Sequence, residues 1–314
     1  MAVAWERTSA DIHRAEVISA VREACALARV DASSLRPVRS GSQAYVRLPG
    51  DIVARVDPPG RSDAARRVVA LARWLESADI DAVQCISTID QPVEIRGRAV
   101  TFWHALPPYR SGTTGEVAWA LARLHEIAPP LRAELAPMHP LALAEQRIRA
   151  CRTLSVGDRL WLTEHVAELR QRWTALPGGL PWGVVHGDAR AATVVRADDG
   201  PVLLRSVDHL TIGPPEWDLA CTAIKLTSFG WITAQQYEEF CREYGRDVLR
   251  WAGFYLLRDI RELQLAVAAG RAAARDGAYR EQAEYRVRCL RGDEGPRQWP
   301  QWRPLWWVRL QHGM

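Results

Sequence analysis

The residues best equipped for chemistry lie between positions 184 and 220. His186-Gly187-Asp188 follows the apolar pair Val184-Val185. A glycine at a strand end lets the backbone turn and exposes the carboxylate that comes next. Asp208 lies 20 residues on, after Leu203-Leu204-Arg205-Ser206-Val207. That segment reads as the second strand of a hairpin from Val194-Val195 through an Asp199-Gly200 turn. Carboxylates at the ends of adjacent strands can converge on one site, one orienting a hydroxyl while the other holds a divalent cation. Gly213-Pro214-Pro215-Glu216-Trp217-Asp218-Leu219-Ala220 then supplies a turn and a helix start, with Asp218 placed to cap it. Taken alone, His-Gly-Asp recurs in many turns and reads equally well as a strand end with a capping aspartate.

The elements that must position these residues change character along the chain. Ile12, Val17, Ile18, Val21 and Leu27, spaced among Arg and Glu, give a leading amphipathic helix over 10–30, opened by Ser9 or Asp11. Leu35 to Val38, Ala44 to Leu48 and Asp51 to Val56 are short and rich in Val, Tyr and Ile. Gly41-Ser42 and Pro49-Gly50 separate them, which predicts an antiparallel meander. A helix follows from Ser62 to Ser77, with Val68, Leu71 and Leu75 on one face. Alternation returns over 83–104 and predicts strands at Val83 to Ile89, Val93 to Ile95 and Val100 to His104. Beyond Pro107-Pro108 the pattern is helical: Gly115 to Ile127, Ala142 to Cys151, Gly157 to Leu176, and a long stretch from Ala234. The β insert around the His-Gly-Asp segment is the one interruption.

In combination these features are far more specific than any one of them. The chain resembles the aminoglycoside phosphotransferase family, small-molecule kinases of the protein-kinase-like fold. The family's catalytic loop reads H-G-D-x-x-x-x-N, followed by a metal-binding Asp after a short hairpin and then G-x-x-x-W-D-L. Here the sequence runs His186-Gly187-Asp188-Ala189-Arg190-Ala191-Ala192-Thr193, then Asp208, then Gly213 to Leu219. Leu121-Ala122-Arg123-Leu124-His125 resembles the helix that these enzymes place early in their second lobe. The resemblance covers roughly residues 35 to 290. It implies an α+β, bilobal fold: an N-terminal antiparallel sheet lobe with one main helix over 1–104, and a mostly helical C-terminal lobe with a small β insert over 105–314.

The same resemblance assigns roles. Asp188, with His186 beside it, would be catalytic, Asp188 orienting the acceptor hydroxyl and accepting its proton late. Asp208 would bind Mg²⁺ between the β- and γ-phosphates of ATP or GTP, with Thr193 as a second ligand. Arg55 would contact the phosphates, and Ser42, Phe102, Trp103 and His104 would complete the nucleotide site, the last three in a hinge whose backbone meets a purine edge. Three positions depart from the family pattern. Arg55 stands in place of a lysine, Val68 in place of the helix glutamate that pairs with it, and Thr193 in place of a metal-binding asparagine. The expected activity is Mg²⁺-dependent transfer of a γ-phosphate to a hydroxyl of a small metabolite or antibiotic, in resistance or biosynthesis. The alternative is a kinase-fold protein that has lost phosphotransfer and binds a ligand or serves another biosynthetic step.

Composition narrows the chemistry further. Of 41 basic residues only Lys225 is a lysine, and it sits in Ala223-Ile224-Lys225-Leu226 with no Gly-rich loop before it. A Walker-type NTPase is excluded, and lying beyond the catalytic loop, Lys225 falls outside the expected chemistry. Hydrophobic content of 48% with 25% charged residues describes an ordinary globular protein. A net charge of +4, with no basic run interleaved with aromatics, argues against nucleic acid. Six scattered cysteines without a C-x-x-C read as reduced packing residues. With no signal-like N-terminus and no spanning apolar run, the expectation is a cytoplasmic monomer or homodimer with no membrane partner. Residues 231–314 hold 11 Asp or Glu against 14 Arg, so nothing there favours a polycationic acceptor. Four tryptophans between Trp299 and Trp307 are expected to pack back on the second lobe.

Overall fold

The computed structural model describes residues 9–39, 43–130, 135–198 and 200–311. Its chain forms two compact units, one of Met1–Ser111, Pro130–Glu134 and Ala192–His209, the other of Gly112–Pro129, Leu135–Ala191 and Leu210–Met314.

In the first unit, α1 (Ser9–Ala28) precedes an antiparallel sheet of β1 (Arg36–Arg39), β2 (Ala44–Leu48), β3 (Ile52–Val56), β4 (Val93–Ile95) and β5 (Arg98–His104), in the order β1-β2-β3-β5-β4. The meander expected from the short Val- and Tyr-rich runs is therefore present. The pleat sorts its side chains. Ala44, Val46, Leu48, Ala54, Val56, Val100 and Phe102 join Val17, Ala20, Val21, Ala24 and Cys25 of α1 in one buried cluster. The alternate residues of β2, β3 and β5 face the other way and build the site described below. Helix α2 (Ser62–Ser77) matches the expected bounds, and Val68, Leu71, Ala72 and Leu75 recur at helical spacing on its buried face. A second small sheet, β6-β8-β9, joins β6 (Tyr109–Ser111), β8 (Val194–Ala197) and β9 (Val202–Leu204). A single 3-10 turn, Val207–His209, follows β9.

One strand expectation fails. Residues 83–89 form no strand; Cys85 makes only an isolated bridge to Trp103, and Ile86 N–H donates to Phe102 C=O (2.9 Å). Their apolar alternation reflects burial against β5, where β4 already occupies the outer position. The Gly41-Ser42 turn lies outside the described residues, as does Asp199 of the hairpin turn.

The second unit is helical around one short ladder. Its helices are α3 (Thr114–Glu126), α4 (Ala144–Arg149), α5 (Val156–Trp173), α6 (Glu216–Thr227), α7 (Ala234–Tyr244), α8 (Phe254–Ala273), α9 (Arg280–Arg291) and α10 (Leu305–Gln311). Thr113 and Glu116 close α3 with a reciprocal capping box, and Thr233 and Gln236 do the same for α7. These two helices pack together, and α8 packs against α4, α5, α6 and α9. The antiparallel pair β7 (Gly183–Val185) and β10 (Thr211–Gly213) delivers the chain to His186. All six cysteines are unpaired thiols, five of them buried. Among the described residues no helix is long and apolar enough to cross a membrane.

Candidate active site

The face of the sheet turned away from α1 presents Tyr45 and Arg47 of β2, Val53 and Arg55 of β3, and Trp103 of β5. Together with Val68 of α2, Leu106, Tyr109 and the segment Arg205–Asp208, they line a cavity of about 270 Å³. Arg55 is only 7% exposed and donates from Nη2 to Asp57 Oδ1 at 3.0 Å, with Asp208 Oδ2 at 4.0 Å. Burial penalises its charge, but Asp57, the Tyr45 phenol and Asp208 outweigh that and hold the guanidinium above its ordinary range. Asp57 itself is buried, and Arg55 Nε and Asp57 Oδ2 have no hydrogen-bond partner. Arg205 lies over the Tyr109 ring at 5.1 Å and donates to its hydroxyl at 3.2 Å. Three guanidiniums, three aromatic rings and the single carboxylate of Asp208 suit a ligand that is both anionic and flat.

The other residues expected in this site are distributed unevenly. Trp103 and His104 line the cavity, whereas Phe102 lies wholly in the core on the α1 face. The Phe102 N–H donates to Gln91 Oε1 (2.6 Å) and the His104 N–H to Gln84 C=O (2.9 Å), so neither is available as a hinge donor. Ser42 lies outside the described residues. Thr193 is buried and does not line the cavity; its carbonyl accepts the Arg205 N–H at 2.7 Å. Among the described residues no three His, Cys, Asp or Glu side chains gather to hold a metal.

In the second unit the His-Gly-Asp turn is held from below by Asp218. Its Oδ2 accepts the His186 N–H (2.6 Å) and its Oδ1 the Gly187 N–H (2.9 Å), while His125 Nε2 of α3 lies 3.1 Å from Oδ2. Burial works against this carboxylate's charge, but His125 and the His186 N–H outweigh it, holding Asp218 below the ordinary carboxylate value. Asp218 lies in the first turn of α6 and secures the turn after β7 instead of capping its own helix, as the sequence suggested. Gly187 takes φ +80°, a conformation that glycine adopts without steric cost, and its carbonyl accepts the Trp217 Nε1–H at 3.0 Å. His186 is fully buried, and its Nδ1 accepts the Asp188 N–H at 3.3 Å, so it shapes the turn from within.

Asp188 remains partly open to solvent, between two arginines. Arg190 Nε sits 3.1 Å from its Oδ2 and Arg261 Nη2 of α8 sits 3.6 Å from its Oδ1. Arg261 also lies over the Trp217 ring at 5.0 Å. Burial, the largest cause, together with repulsion from Arg190 and Arg261, holds the Lys225 ammonium of α6 below the ordinary lysine value against the attraction of Cys221 and Asp188. The sole lysine, expected to stand apart from the chemistry, lies within the electrostatic field of the His-Gly-Asp carboxylate.

Comparison with known proteins shows the family and the fold. The phosphotransferase enzyme family (APH) matches residues 34–255. The chain belongs to that family. Choline kinase LicA from Streptococcus pneumoniae is similar in structure at 13% identity, with a TM-score of 0.63 over 90% of this chain and 99% of that one. A choline/ethanolamine kinase family protein from Mesorhizobium loti gives 15% identity and 0.61 over 88% and 94%. An aminoglycoside phosphotransferase from Streptomyces rimosus gives 20% and 0.59 over 79% and 97%. At such identities the likeness is one of fold: the α+β, protein-kinase-like architecture is shared. No curated protein sequence matches the chain.

For this phosphotransferase-family chain, sequence reasoning missed several residues. Asp57 supplies the carboxylate expected from α2, where Val68 faces the same cavity instead. Its signal was available, because Arg-x-Asp on a strand places both side chains on one face. Ser206 lines the cavity beside Asp208 at φ +58°, a strained conformation for serine that no sequence pattern announces. Arg261 lies 73 residues beyond Asp188 and reaches it only through the packing of α8 on α6.

Proposed function

We propose that this member of the phosphotransferase family is a Mg²⁺-dependent O-phosphotransferase. It would move the γ-phosphate of ATP or GTP to a hydroxyl of a small metabolite or antibiotic. The observation that carries the reading is Arg55, charged, buried and flanked by Asp57 and Asp208 in a cavity of cations and aromatic rings. Related folds support it: an amicoumacin kinase is known with AMP-PNP and Ca²⁺, and aminoglycoside phosphotransferases with GDP and kanamycin or with ADP and streptomycin.

In this reading the first unit holds the nucleotide, with Tyr45 and Trp103 against the base and Arg55 against the phosphates. Asp208 is a fitting partner for the cation, since Mg²⁺ with nucleotides takes one or two protein carboxylates and completes its shell with phosphate oxygens and water. When bound, Mg²⁺ neutralises charge developing on the phosphates. Asp188 orients the acceptor hydroxyl and takes its proton late, and His186 positions the turn that carries it. The protein would act in the cytoplasm as a monomer or homodimer, without nucleic-acid or membrane partners.

A second reading, a kinase-fold binder without phosphotransfer, is favoured by the burial of Thr193 away from the cavity, which among the described residues leaves Asp208 as the one expected metal ligand lining it. Isothermal titration with ATP and GTP in Mg²⁺ separates the possibilities. Asp208→Ala is expected to weaken Mg²⁺-nucleotide binding at least about tenfold, or ~1.4 kcal/mol. No binding at millimolar nucleotide, or binding indifferent to Asp208, overturns the phosphotransferase reading. Normal binding without phosphate transfer to any acceptor selects the second.

A further inference from the structure

We infer that Tyr244 is a positioning residue for the turn that carries Asp188: its phenol donates to His125 Nδ1 and so presents the opposite ring nitrogen, as Nε2–H, to Asp218. The inference rests on the phosphotransferase reading of Asp188 and adds a residue that acts on its turn from α7. Every group it uses belongs to the second unit.

Tyr244 is the last residue of α7, and its hydroxyl lies 2.8 Å from His125 Nδ1. Across the same ring, Nε2 lies 3.1 Å from Asp218 Oδ2. Asp218 in turn accepts the N–H groups of His186 and Gly187 at 2.6 and 2.9 Å. One unbroken chain of hydrogen bonds therefore runs from α7 through α3 to the two residues before Asp188. The direction of each bond follows from its partners. Asp218 is held ionised and only accepts, so the proton between it and His125 sits on Nε2. The bare Nδ1 then needs a donor. Tyr244 supplies it, because burial first, then Glu216 and Asp218, raises its phenol above the ordinary value and keeps the proton in place. The His125 side chain is 5% exposed, which leaves water little access to replace the hydroxyl.

The phenol is also held rigidly. Tyr237, Phe240 and Tyr244 recur on one face of α7 with nearly parallel rings 6.2 and 6.5 Å apart, and His125 meets the Tyr244 ring edge-on at 5.7 Å. Glu239 of the same helix accepts from Thr114 Oγ1 of α3 at 3.4 Å, a second tie between the two helices. A neutral His125 leaves most of the Asp218 charge to the two amides of the turn, whereas an imidazolium would draw that charge into an ion pair. On its carbonyl side the turn is held at Gly187 by Trp217 Nε1–H (3.0 Å) and Arg261 Nη1 (3.4 Å). Tyr244 governs the amide side.

The test is NMR on the full chain with isotope-labelled histidine at pH 7, the His125 ring signals being identified by their loss in His125→Gln. The wild type is expected to show a protonated Nε2 and a bare Nδ1. Two protonated nitrogens, an Nδ1–H ring or a rapid average of the two tautomers would overturn the inference. Tyr244→Phe keeps the ring and removes only the hydroxyl, so a role confined to packing would leave it without effect. It is expected to abolish the fixed ring signature and to speed amide hydrogen exchange at His186 and Gly187 at least about tenfold. In the His125→Gln background, where the glutamine amide can donate to Asp218 in place of Nε2, Tyr244→Phe should change that exchange no further. Unchanged exchange at the turn in the single variant, or exchange raised equally throughout the second unit, would refute the positioning role. The wild-type ring signature decides even if the Phe variant misfolds. A wrong ring signature beside Mg²⁺-ATP binding that depends on Asp208 refutes this inference alone; binding that ignores Asp208, with the ring signature as expected, refutes only the phosphotransferase reading.

Discussion

Arg55 is charged, almost wholly out of water, and served by a carboxylate two residues further on, just past the end of β3. A buried ion pair of this kind gives little net stability, because desolvation consumes most of the Coulomb gain. Removing one partner is another matter. Asp57→Asn leaves the Arg55 guanidinium with only Asp208 at 4.0 Å, and the expected cost is about 3 kcal/mol of unfolding free energy, read from urea denaturation. Replacing both as Arg55→Met with Asp57→Leu should cost markedly less than the single change, since no orphaned charge remains. Nucleotide affinity should separate the variants the other way, with the double variant the weaker binder. A single variant as stable as the wild type would show that Asp57 is not what makes the buried guanidinium tolerable.

At the scale of elements, the turn after β7 depends on the first turn of α6. Asp218 is neutralised only when protons become plentiful, because its folded value lies below the ordinary 3.8. A carboxylate with a depressed folded value stabilises fully above its unfolded value, and the contribution is lost as pH falls through the folded one. The wild type should therefore lose stability below about pH 4 with a steeper acid limb than Asp218→Asn. The variant, already deprived of the charge-assisted bonds, should be weaker by about 2 kcal/mol at pH 7, measured by urea midpoints across the pH range. Much of this architecture was legible beforehand. Periodicity placed α2 to the residue and the β1–β3 meander nearly so, since both rest on local alternation of apolar side chains. The segment 83–89 defeated the same reasoning, because burial against a strand imitates membership of the sheet. Asp188 and Asp208 were singled out from spacing and the family pattern, whereas Asp57 was overlooked because that pattern directs attention to α2. Phe102 and Trp103 could not be sorted without the register of β5 on β3, which puts one in the core and the other on the cavity.

Over the whole molecule, the arginine-rich composition and the tryptophan-rich tail meet in the second unit. Trp299 and Trp302 of the tail pack back as expected while Trp306 stays exposed, and the tail closes the C-terminal end of α6, where Gln298 and Trp299 N–H groups both donate to Ser228 C=O at 2.9 and 3.1 Å. Trp302 is fully buried, stacked on Phe229 at 4.9 Å and Trp299 at 5.2 Å, with the Arg286 guanidinium 5.1 Å from its ring. Arg286 is itself buried and hydrogen-bonds backbone carbonyls, so the indole face compensates part of its charge. Helix α6 thus carries Asp218 at its start, Lys225 towards its end and the tail at its terminus. Trp302→Ala removes a large packed side chain and exposes a buried cation, and the expected loss is about 3–5 kcal/mol. Its consequences should fall unevenly. Asp57 and Arg55 belong to the first unit and α6 to the second, so nucleotide affinity is expected to persist at denaturant concentrations where the second unit has opened. Urea titration followed both by tryptophan fluorescence and by nucleotide binding tests this. A fluorescence transition shifted well below the wild-type midpoint, with binding lost later, is the expected result, and coincident loss of both signals would show that the tail stabilises the chain as one cooperative body.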